Sequence, residues 1–479
     1  MKFAALETPS VLILGLGQEG LSSLDFLCRR FPGKRFGVAD RAEFDGLSGL
    51  AQDRLRAQSG RLRLHLGADY LNSLADYDVV IKSPGIPPSQ PAIQRAAAQG
   101  KLTSHTALFF SNCPGTIIGI TGTKGKSTTA ALTHAILRGG GMDARLVGNI
   151  GRPPLDIVAD THARTVFVAE LSSHQLEGLR QGPHIAVVLN IMPDHLDYYP
   201  SFEDYVQAKL NIARFQSAGD YLIYNAESVR LSRAAADSRA RTVPFSARRR
   251  LDQGCFVASD MIVVRSEAGG EEPLLAVADI PLPGDFNLPN VLAAVATARL
   301  LGVGDEPLRG AVRGFEALEH RFERLGPYRG ISFYNAPLAT VPEVTLAHLA
   351  ALGPDVQTVL LGGHDRHLDF SELAGRLVGG GIRNLMLFPT SGARIWQAVR
   401  ARSAAASQPA PQAFFVNSME RAVRLAYAHT APGKICLHSP ASPSFGLFTD
   451  YRERGRLFKD WVRRLAGDGH GLETSGPMR

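Results

Sequence analysis

The stretch from Thr116 to Thr128 restricts the possible folds of this chain more than any other. An apolar run at Thr116–Thr121 leads into the glycine-rich sequence Gly122-Thr-Lys-Gly-Lys-Ser-Thr128, and we expect a helix to follow through Leu137. A strand, a glycine turn and a helix in this order direct backbone amides and a helix N-terminus at one point, where phosphate can bind. The usual eight-residue phosphate-loop pattern has a first glycine where this chain has Ile120. The stretch still predicts a phosphate-binding turn attached to a parallel sheet.

A second glycine-rich turn lies near the N-terminus. Val11–Leu14 is an apolar run typical of a buried parallel strand, and Gly15-Leu-Gly17-Gln-Glu-Gly20 follows it. Asp40 ends the next predicted strand, where dinucleotide-binding sequences place an acid for the ribose. From these residues alone, a nicotinamide or flavin site, another nucleotide site and a structural turn all stay open.

Strand and helix patterns alternate along the chain, which predicts an α/β fold of three domains with mostly parallel sheets. We expect a Rossmann-like domain at 1–104, a central ATPase domain of phosphate-loop type at 105–317 and a Rossmann-like α/β domain at 318–479. The composition of 466–479 is typical of disorder. The strands that we expect are 11–14, 35–40, 78–83, 116–121, 166–169, 185–189, 358–361, 384–388 and 434–438.

Composition excludes several classes of protein. The chain has 479 residues, of which 45% are hydrophobic and 20% charged, so it is neither disordered nor a coiled coil or fibre. Its net charge of +7 suits anionic ligands but does not require nucleic acid. No apolar run reaches the length of a membrane span. The spacing of the cysteines indicates neither zinc nor a disulfide framework. We expect a cytoplasmic protein that binds no nucleic acid.

Acidic and histidine side chains follow two further predicted strands. Glu170 ends one strand, and Asp194, His195 and Asp197 come shortly after another. Ligands of parallel sheets collect at the carboxyl ends of strands, so these side chains are placed to hold magnesium beside the phosphate turn. A helix cap or a surface position explains an isolated Asp or His equally well. Lys209 lies on a predicted helix, and from its position alone we interpret it as a solvated lysine.

Taken in order, these motifs resemble those of the Mur ligases, the ATP-dependent amino-acid ligases of peptidoglycan precursor synthesis. The resemblance covers almost the whole chain, and it implies ATP and magnesium as cofactors and a UDP-linked substrate, not a nicotinamide, at the first glycine turn. We expect a monomer. The segments that carry the resemblance are Gly15–Gly20, Ser83–Gly85, Thr121–Thr128, Gly148–Gly151, Glu170–Glu177, Asn190–Asp197, Gly284–Asn290, Leu318–Glu323, Ser439–Phe448 and Arg452–Gly455.

The resemblance also implies roles for individual residues. Catalysis is assigned to Lys126, Glu170, His195 and Lys209. The metal is assigned to Ser127, Glu170, His195 and Lys209, the last as a carbamate. ATP is assigned to Gly122, Thr123, Lys124, Gly125, Lys126, Ser127, Thr128, Asn287, Asn290 and Arg321. The UDP-linked substrate is assigned to Gly17, Gln18, Glu19, Asp40, Arg41, Ser83, Gly85 and Asn149. The amino acid is assigned to Thr340, Arg366, Ser444, Phe445 and Phe448.

Within the family, the chain is most similar to the ligases that add glutamate to UDP-N-acetylmuramoyl-L-alanine. The implied reaction begins when the substrate carboxylate attacks the γ-phosphate of ATP, whose charge Lys126 and magnesium neutralise. The amine of the amino acid then attacks the acyl phosphate, and phosphate leaves. Water must be excluded because it would hydrolyse that intermediate.

Two segments of the third domain depart from the family pattern. These ligases usually have an acid and a lysine at the positions of Ala336 and Leu338, in the segment Asn335-Ala-Pro-Leu-Ala-Thr340. They usually have a lysine at the position of Arg366, in the segment Gly362-Gly-His-Asp-Arg366. The second pattern resembles a branch that adds L-glutamate and needs a separate glutamyl epimerase. We therefore expect L-glutamate as the substrate, with the same ligation of D-glutamate as the alternative.

Other classes of protein stay open at this point. The altered third domain also fits a nucleotide-binding Mur-like protein whose ligase activity has decayed. A folate polyglutamate ligase shares the ATP and magnesium motifs but lacks a separate UDP-binding domain, which we expect residues 1–104 to supply. A dehydrogenase would bind a nicotinamide at the first glycine turn, and a regulator would bind ATP without releasing phosphate.

Overall fold

Three β-sheets organise the chain in a computed structural model, which describes residues 1–266 and 269–467. Each sheet is mainly parallel and carries helices, so the predicted α/β fold of three domains with mostly parallel sheets is confirmed. In the described part of the chain, no helix is both long and apolar enough to cross a membrane. Most of the tail predicted to be disordered, 468–479, lies outside the described residues, whereas 466 and 467 end the last helix.

The first sheet has five parallel strands in the order β3-β2-β1-β4-β5. The central strand is entirely apolar and fully buried, as expected for a strand covered on both faces. The chain order reverses between β1 and β4, where ligands of such sheets bind. The strands are β1 (Val11–Leu14), β2 (Phe36–Asp40), β3 (Leu62–Leu66), β4 (Val79–Lys82) and β5 (Leu102–Thr103). The helices are α1 (Gln18–Arg30), α2 (Gly49–Ala57), α3 (Pro91–Ala98) and α4 (His105–Asn112).

The second sheet has nine strands, in the order β14-β13-β12-β11-β10-β9-β6-β8-β7. Only β13 pairs antiparallel with its neighbours, and β6 lies between β9 and β8, so the loops after these three strands share one edge. The strands are β6 (Thr116–Thr121), β7 (Ala144–Gly148), β8 (Val166–Glu170), β9 (Ile185–Val188), β10 (Tyr221–Asn225), β11 (Arg241–Ser246), β12 (Gly254–Ala258), β13 (Met261–Arg265) and β14 (Glu271–Ala276). The helices are α5 (Lys126–Gly139), α6 (Ser173–Leu176), α7 (Phe202–Arg214), α8 (Val229–Ala236), α9 (Leu288–Leu300) and α10 (Asp305–Arg313).

The third sheet has six strands in the order β15-β16-β20-β17-β18-β19, and only β15 is antiparallel to its neighbour. The strands are β15 (Glu323–Tyr328), β16 (Ile331–Asn335), β17 (Val356–Gly362), β18 (Asn384–Phe388), β19 (Gln412–Phe415) and β20 (Ile435–His438). The helices are α11 (Pro342–Leu352), α12 (Ser371–Gly379), α13 (Ser391–Ala406), α14 (Met419–His429) and α15 (Tyr451–Gly467).

The first two sheets belong to one compact unit, made of Met1–Ile280 and Leu288–Phe315, and the third belongs to a second unit, made of Pro281–Asn287 and the described residues from Glu316 onward. A single hydrophobic cluster runs from the first sheet into the second. Polar contacts reinforce it, because Ser22 donates to Asp156 at 2.6 Å and the Ser23 hydroxyl lies 3.0 Å from His105 Nδ1. The two N-terminal sheets therefore share a core.

Candidate active site

The phosphate loop connects β6 to α5. Gly125 has a φ of +87°, and a Cβ at this position would collide with the side chain of Asn290, so glycine is required. Lys126 Nζ donates to the carbonyl oxygens of Gly122 and Thr123, at 3.0 Å in both cases. The loop amides and the N-terminus of α5 thus form a positively polarised turn suited to a phosphate group.

The segment after β9 holds this loop in place. The Asn190 side chain accepts a hydrogen bond from Lys124 N at 2.8 Å and donates one to Lys124 O at 3.0 Å. The Asn190 carbonyl accepts from Thr123 N at 2.9 Å, and Lys124 Nζ lies 3.3 Å from Asp194. In the sequence, Asn190 is distinguished only as part of the motif Asn190–Asp197. Its signal was an amide placed at the end of the strand next to the loop.

Glu170 lies at the end of β8, almost fully buried. Its Oε1 accepts a hydrogen bond from Asn149 Nδ2 at 3.0 Å, whereas its buried Oε2 has no hydrogen-bond partner among the described residues. The backbone of Asn149 also donates to Glu170 O at 3.0 Å. One oxygen of a buried carboxylate is therefore available, and an ion is the partner that would offset the cost of its burial.

Lys209 projects from α7 to the same loop, and its side chain is almost fully buried. Its Nζ donates to Gly122 O at 2.9 Å, which is the carbonyl that also accepts from Lys126. Burial, reinforced by the charge of Lys126, lowers the pKa of Lys209 to about 6. The amine is therefore mainly neutral at pH 7, and a neutral amine is the form that adds CO2 to give a carbamate.

His195 is exposed on the segment after β9 and has a φ of +53°. Its ring lies 5.0 Å from the ring of His174 and 6.1 Å from that of Tyr205. Burial, together with a smaller electrostatic effect of the neighbouring His195, lowers the pKa of His174 to about 4. His174 is therefore a neutral support for His195 at pH 7.

The predicted magnesium ligands lie on elements that meet at this sheet edge. In the described part of the chain, no three His, Cys, Asp or Glu side chains form a metal-binding group. Magnesium usually keeps several waters and takes one or two carboxylates plus phosphate oxygens. The unpartnered oxygen of Glu170 and the buried hydroxyl-bearing Ser127 fit that pattern, and a carbamate on Lys209 would add a second anionic oxygen donor.

The first glycine turn is braced from two sides. Asp40 accepts hydrogen bonds from Leu16 N at 2.7 Å and Ala42 N at 2.9 Å, one on each carboxylate oxygen. Ser83, which follows β4, donates its hydroxyl to Gly15 O at 3.0 Å. The structure therefore brings two predicted substrate-binding segments together at the point where the strand order reverses.

A cavity of about 470 Å³ lies in the first domain, and most of its lining residues follow β2 and β3. The exposed Arg41 is the cation of the cavity, and Tyr70 supplies an aromatic ring. The cavity is lined by Arg41, Glu43, Gly67, Ala68, Tyr70, Leu71 and Gln90. Gly17 and Gln18 are exposed after β1, and Gly85 is exposed after β4. Their roles stay predictions.

Glu19 connects the first domain to the central one. Its Oε1 accepts a hydrogen bond from Gln175 Nε2, and within the part of the chain that the structure describes its buried Oε2 has no hydrogen-bond partner. Burial raises the pKa of Glu19 to about 7, although Gln175 and Lys82 oppose the shift. The carboxyl group is thus close to half-protonated at neutral pH, a property that the sequence alone did not indicate.

In the third domain, the predicted amino-acid residues have different environments. Arg366 is exposed on the loop after β17. An ion pair of 2.7 Å between Asp365 and Arg394 holds this loop. Thr340 is partly buried and Ser444 is buried, whereas Phe445 is 54% exposed. Phe448 is buried, with its ring 5.9 Å from Phe388, and belongs to the hydrophobic core. Their roles in binding stay predictions.

The predicted ATP-binding residues outside the phosphate loop are divided between the two units. Asn290 lies in the first turn of α9 in the first unit, where Thr129 donates to it at 3.4 Å. Asn287 belongs to the second unit and donates to Pro283 O at 2.8 Å. Arg321 is half-buried in the second unit.

Arg454, which the sequence marks only as part of the motif Arg452–Gly455, is a structural residue. It is 1% exposed and donates to Ser442 O at 3.0 Å and to Pro337 O at 2.6 Å. These two carbonyls belong to segments that also carry Ser444 and Thr340. Arg454 therefore joins two of the loops assigned to the amino acid. Its only advance signal was an arginine on the helix that follows the second loop.

The fold and the phosphate loop with its buried lysine define an ATP-dependent ligase, and comparison with known proteins gives its family. Residues 120–298 match the Mur ligase middle domain, and 9–103 match the MurD-like N-terminal domain of the Mur ligases. The chain belongs to the Mur ligase family, as the resemblance of its motifs predicted.

Its curated relatives extend over nearly the whole chain. The UDP-N-acetylmuramoylalanine--D-glutamate ligase of Symbiobacterium thermophilum is 37% identical over 95% of this chain and 98% of its own length. The protein of the same name from Acidobacterium capsulatum is 36% identical over 95% and 96%. A solved structure, the UDP-N-acetylmuramate-alanine ligase of Thermotoga maritima, has a TM-score of 0.58 and 17% identity, covering 95% of this chain and 99% of its own. At that identity it supports the fold alone.

The prediction of L-glutamate as the substrate is wrong by this comparison, because both of these relatives are named as D-glutamate ligases. The prediction gave too much weight to Arg366, Ala336 and Leu338. Exchanging one cation for another changes how a carboxylate is held. It does not by itself determine which enantiomer presents its amine, since that depends on the whole pocket.

Proposed function

We propose that this protein joins D-glutamate to UDP-N-acetylmuramoyl-L-alanine at the expense of ATP, in the cytoplasm and through an acyl phosphate. The observation that carries the proposal is the match over nearly the full chain to D-glutamate ligases at 32–37% identity. The site supports it with a phosphate loop, a buried carboxylate and a buried neutral lysine at one sheet edge.

The phosphate loop is proposed to bind the triphosphate of ATP through Gly122, Thr123, Lys124, Gly125, Ser127 and Thr128. Lys126 would exchange its backbone carbonyl partners for the γ-phosphate and stabilise charge there as the substrate carboxylate attacks. Magnesium, when bound, would neutralise phosphate charge, and Ser127, Glu170, His195 and carbamylated Lys209 are the residues that would hold it. Asn287, Asn290 and Arg321 complete the proposed nucleotide contacts.

The first domain is proposed to bind the UDP part of the substrate. The amides of the glycine turn and the N-terminus of α1 suit a diphosphate, and the cavity beside Arg41 offers a cation and an aromatic ring to the rest of the nucleotide. Asp40 holds the turn in shape through two backbone amides. Asn149 would act next to Glu170, to which it is bonded.

The third domain is proposed to bind glutamate. Arg366 is an exposed guanidinium that can pair with a carboxylate through two parallel hydrogen bonds. Thr340, Ser444 and Phe445 lie on segments that could surround the amino acid, and Phe448 would act by packing below them. No epimerase is needed when the substrate is D-glutamate.

The test is a ligation assay with ATP, magnesium and UDP-N-acetylmuramoyl-L-alanine, in which parallel reactions receive D-glutamate or L-glutamate. Product mass and released phosphate are measured. We expect equal amounts of product and phosphate with D-glutamate only. Product with L-glutamate only would contradict the proposed substrate, and ATP binding without either product would contradict ligase activity on this substrate.

A further inference from the structure

Tyr198 lies three residues after His195, and its side chain reaches back to the first domain. Its hydroxyl lies 3.0 Å from Glu177 Oε2, 3.3 Å from Pro84 O and 3.4 Å from Ile86 O. Glu177 belongs to the central domain, whereas Pro84 and Ile86 belong to the loop after β4. One hydroxyl therefore contacts both of the domains that share the N-terminal core.

The loop that Tyr198 contacts carries the predicted UDP-binding residues Ser83 and Gly85. Lys82 also holds this loop, because its Nζ donates to Ile86 O at 2.7 Å and to Ser83 O at 3.2 Å. Burial lowers the pKa of Lys82, and the nearby carboxylate of Glu177 partly opposes this shift. The first domain thus holds this loop through Lys82 and Ser83, and Tyr198 adds a contact from the central domain.

The ring of Tyr198 contacts the predicted metal segment. It packs edge to face against His174 with ring centroids 4.2 Å apart, and His174 lies 5.0 Å from His195. Burial and Glu177 raise the pKa of the Tyr198 hydroxyl well above its usual range, so it keeps its proton as a hydrogen-bond donor at any physiological pH. A continuous line of contacts thus runs from the loop after β4 to His195.

We propose that Tyr198 is a positioning residue for the ligation, which holds the UDP-binding loop and His195 in a fixed relation. A substrate bound through its UDP part on the first domain must present its carboxylate at the phosphate loop of the central domain. Tyr198 ties these two regions together, with its hydroxyl on the first and its ring on the second. The proposal rests on the proposed function, because it assumes a UDP-linked substrate.

Two substitutions separate the two parts of this role. Tyr198→Phe keeps the ring and removes the hydroxyl, so we expect KM for UDP-N-acetylmuramoyl-L-alanine to rise about 5-fold, as for one lost hydrogen bond, with kcat within about 2-fold. Tyr198→Leu also removes the ring, and we expect kcat to fall by a further 10-fold or so, since small displacements of reacting groups are costly. KM for ATP should stay unchanged in both.

Tyr221→Phe is the matched control, because it removes a hydroxyl that lies 3.2 Å from Arg241 on another part of the central domain. It should leave all constants as they are, and circular dichroism should show all three variants folded. Equal KM values for Tyr198→Phe and the native protein, or equal kcat values for the two Tyr198 variants, would overturn the proposal.

The binding of UDP alone, measured by titration calorimetry, distinguishes this proposal from the proposed function. If the native protein forms no product yet binds UDP, the ligation has failed while the loop can still be tested. Weaker UDP binding by Tyr198→Phe than by Tyr221→Phe then supports the contact, and equal binding refutes it.

Discussion

Replacing Glu19 by Gln is the most informative perturbation of the shared N-terminal core. Glutamine has the same shape as a protonated glutamic acid, and its amide oxygen can still accept from Gln175. The substitution therefore removes one titration and leaves the packing in place. Its effect on stability reports the ionisation of a carboxyl group that connects two domains.

The expected size follows from the pKa. Burial raises the pKa of Glu19 from 4.5 to about 7, which corresponds to about 3 kcal/mol between its two protonation states. Below pH 4.5 the carboxyl is protonated in both the folded and the unfolded chain. Between pH 4.5 and 7 only the unfolded chain ionises, so the native protein loses stability as the pH rises. The Glu19→Gln variant does not lose stability in this way, because glutamine does not ionise.

Thermal unfolding at pH 5 and pH 8 measures the difference. At each pH, the midpoint of the native protein is subtracted from that of Glu19→Gln. We expect this difference to be roughly 6 °C larger at pH 8 than at pH 5, which is the shift typical of about 3 kcal/mol in a large domain. Glu306→Gln is the control, since that side chain is 81% exposed beside Arg309. If the unfolding midpoints of Glu19→Gln and the native protein differ by the same amount at both pH values, the reasoning is refuted.

Three further predictions concern the phosphate loop. Lys126→Ala should lower phosphate release by about 100-fold or more, because it removes a cation that stabilises the transition state, while calorimetry shows unchanged binding of UDP-N-acetylmuramoyl-L-alanine. Lys209→Ala should lose most activity and regain part of it when acetate is added, since acetate can replace the carbamate; full activity without acetate would contradict the role. Gly125→Ala should weaken ATP binding about 10-fold or more, because its φ of +87° and the side chain of Asn290 both exclude a Cβ; Gly141→Ala, at a φ of +79° in open space, is the control for backbone strain alone.

Much of the fold could be predicted from the sequence because its strands are short apolar runs with clear ends. The strands Val11–Leu14, Thr116–Thr121 and Asn384–Phe388 have the predicted bounds. Lys209 was correctly expected on a helix. These features depend on neighbours along the chain, which periodicity and turn residues report directly.

Contacts between distant residues were not predictable in the same way. The hydrogen bond from Gln175 to Glu19 joins residues 156 positions apart, and no local pattern marks either side chain as buried. The antiparallel strands β13 and β14 at the edge of the second sheet also escaped prediction. The pKa values of Glu19 and Lys209 depend on burial by the folded chain, so no property of their sequence neighbourhood specifies them.

The two amide contacts of Asp40 bear on how glycine motifs are used to assign ligands. By its position, Asp40 matches the acid that marks a nicotinamide site in such motifs. Here both of its carboxylate oxygens accept hydrogen bonds from backbone amides, those of Leu16 and Ala42. Selection for the shape of the turn alone would therefore preserve the pattern. Such a motif carries information about strand, turn and helix geometry, and it does not by itself identify the nucleotide that binds.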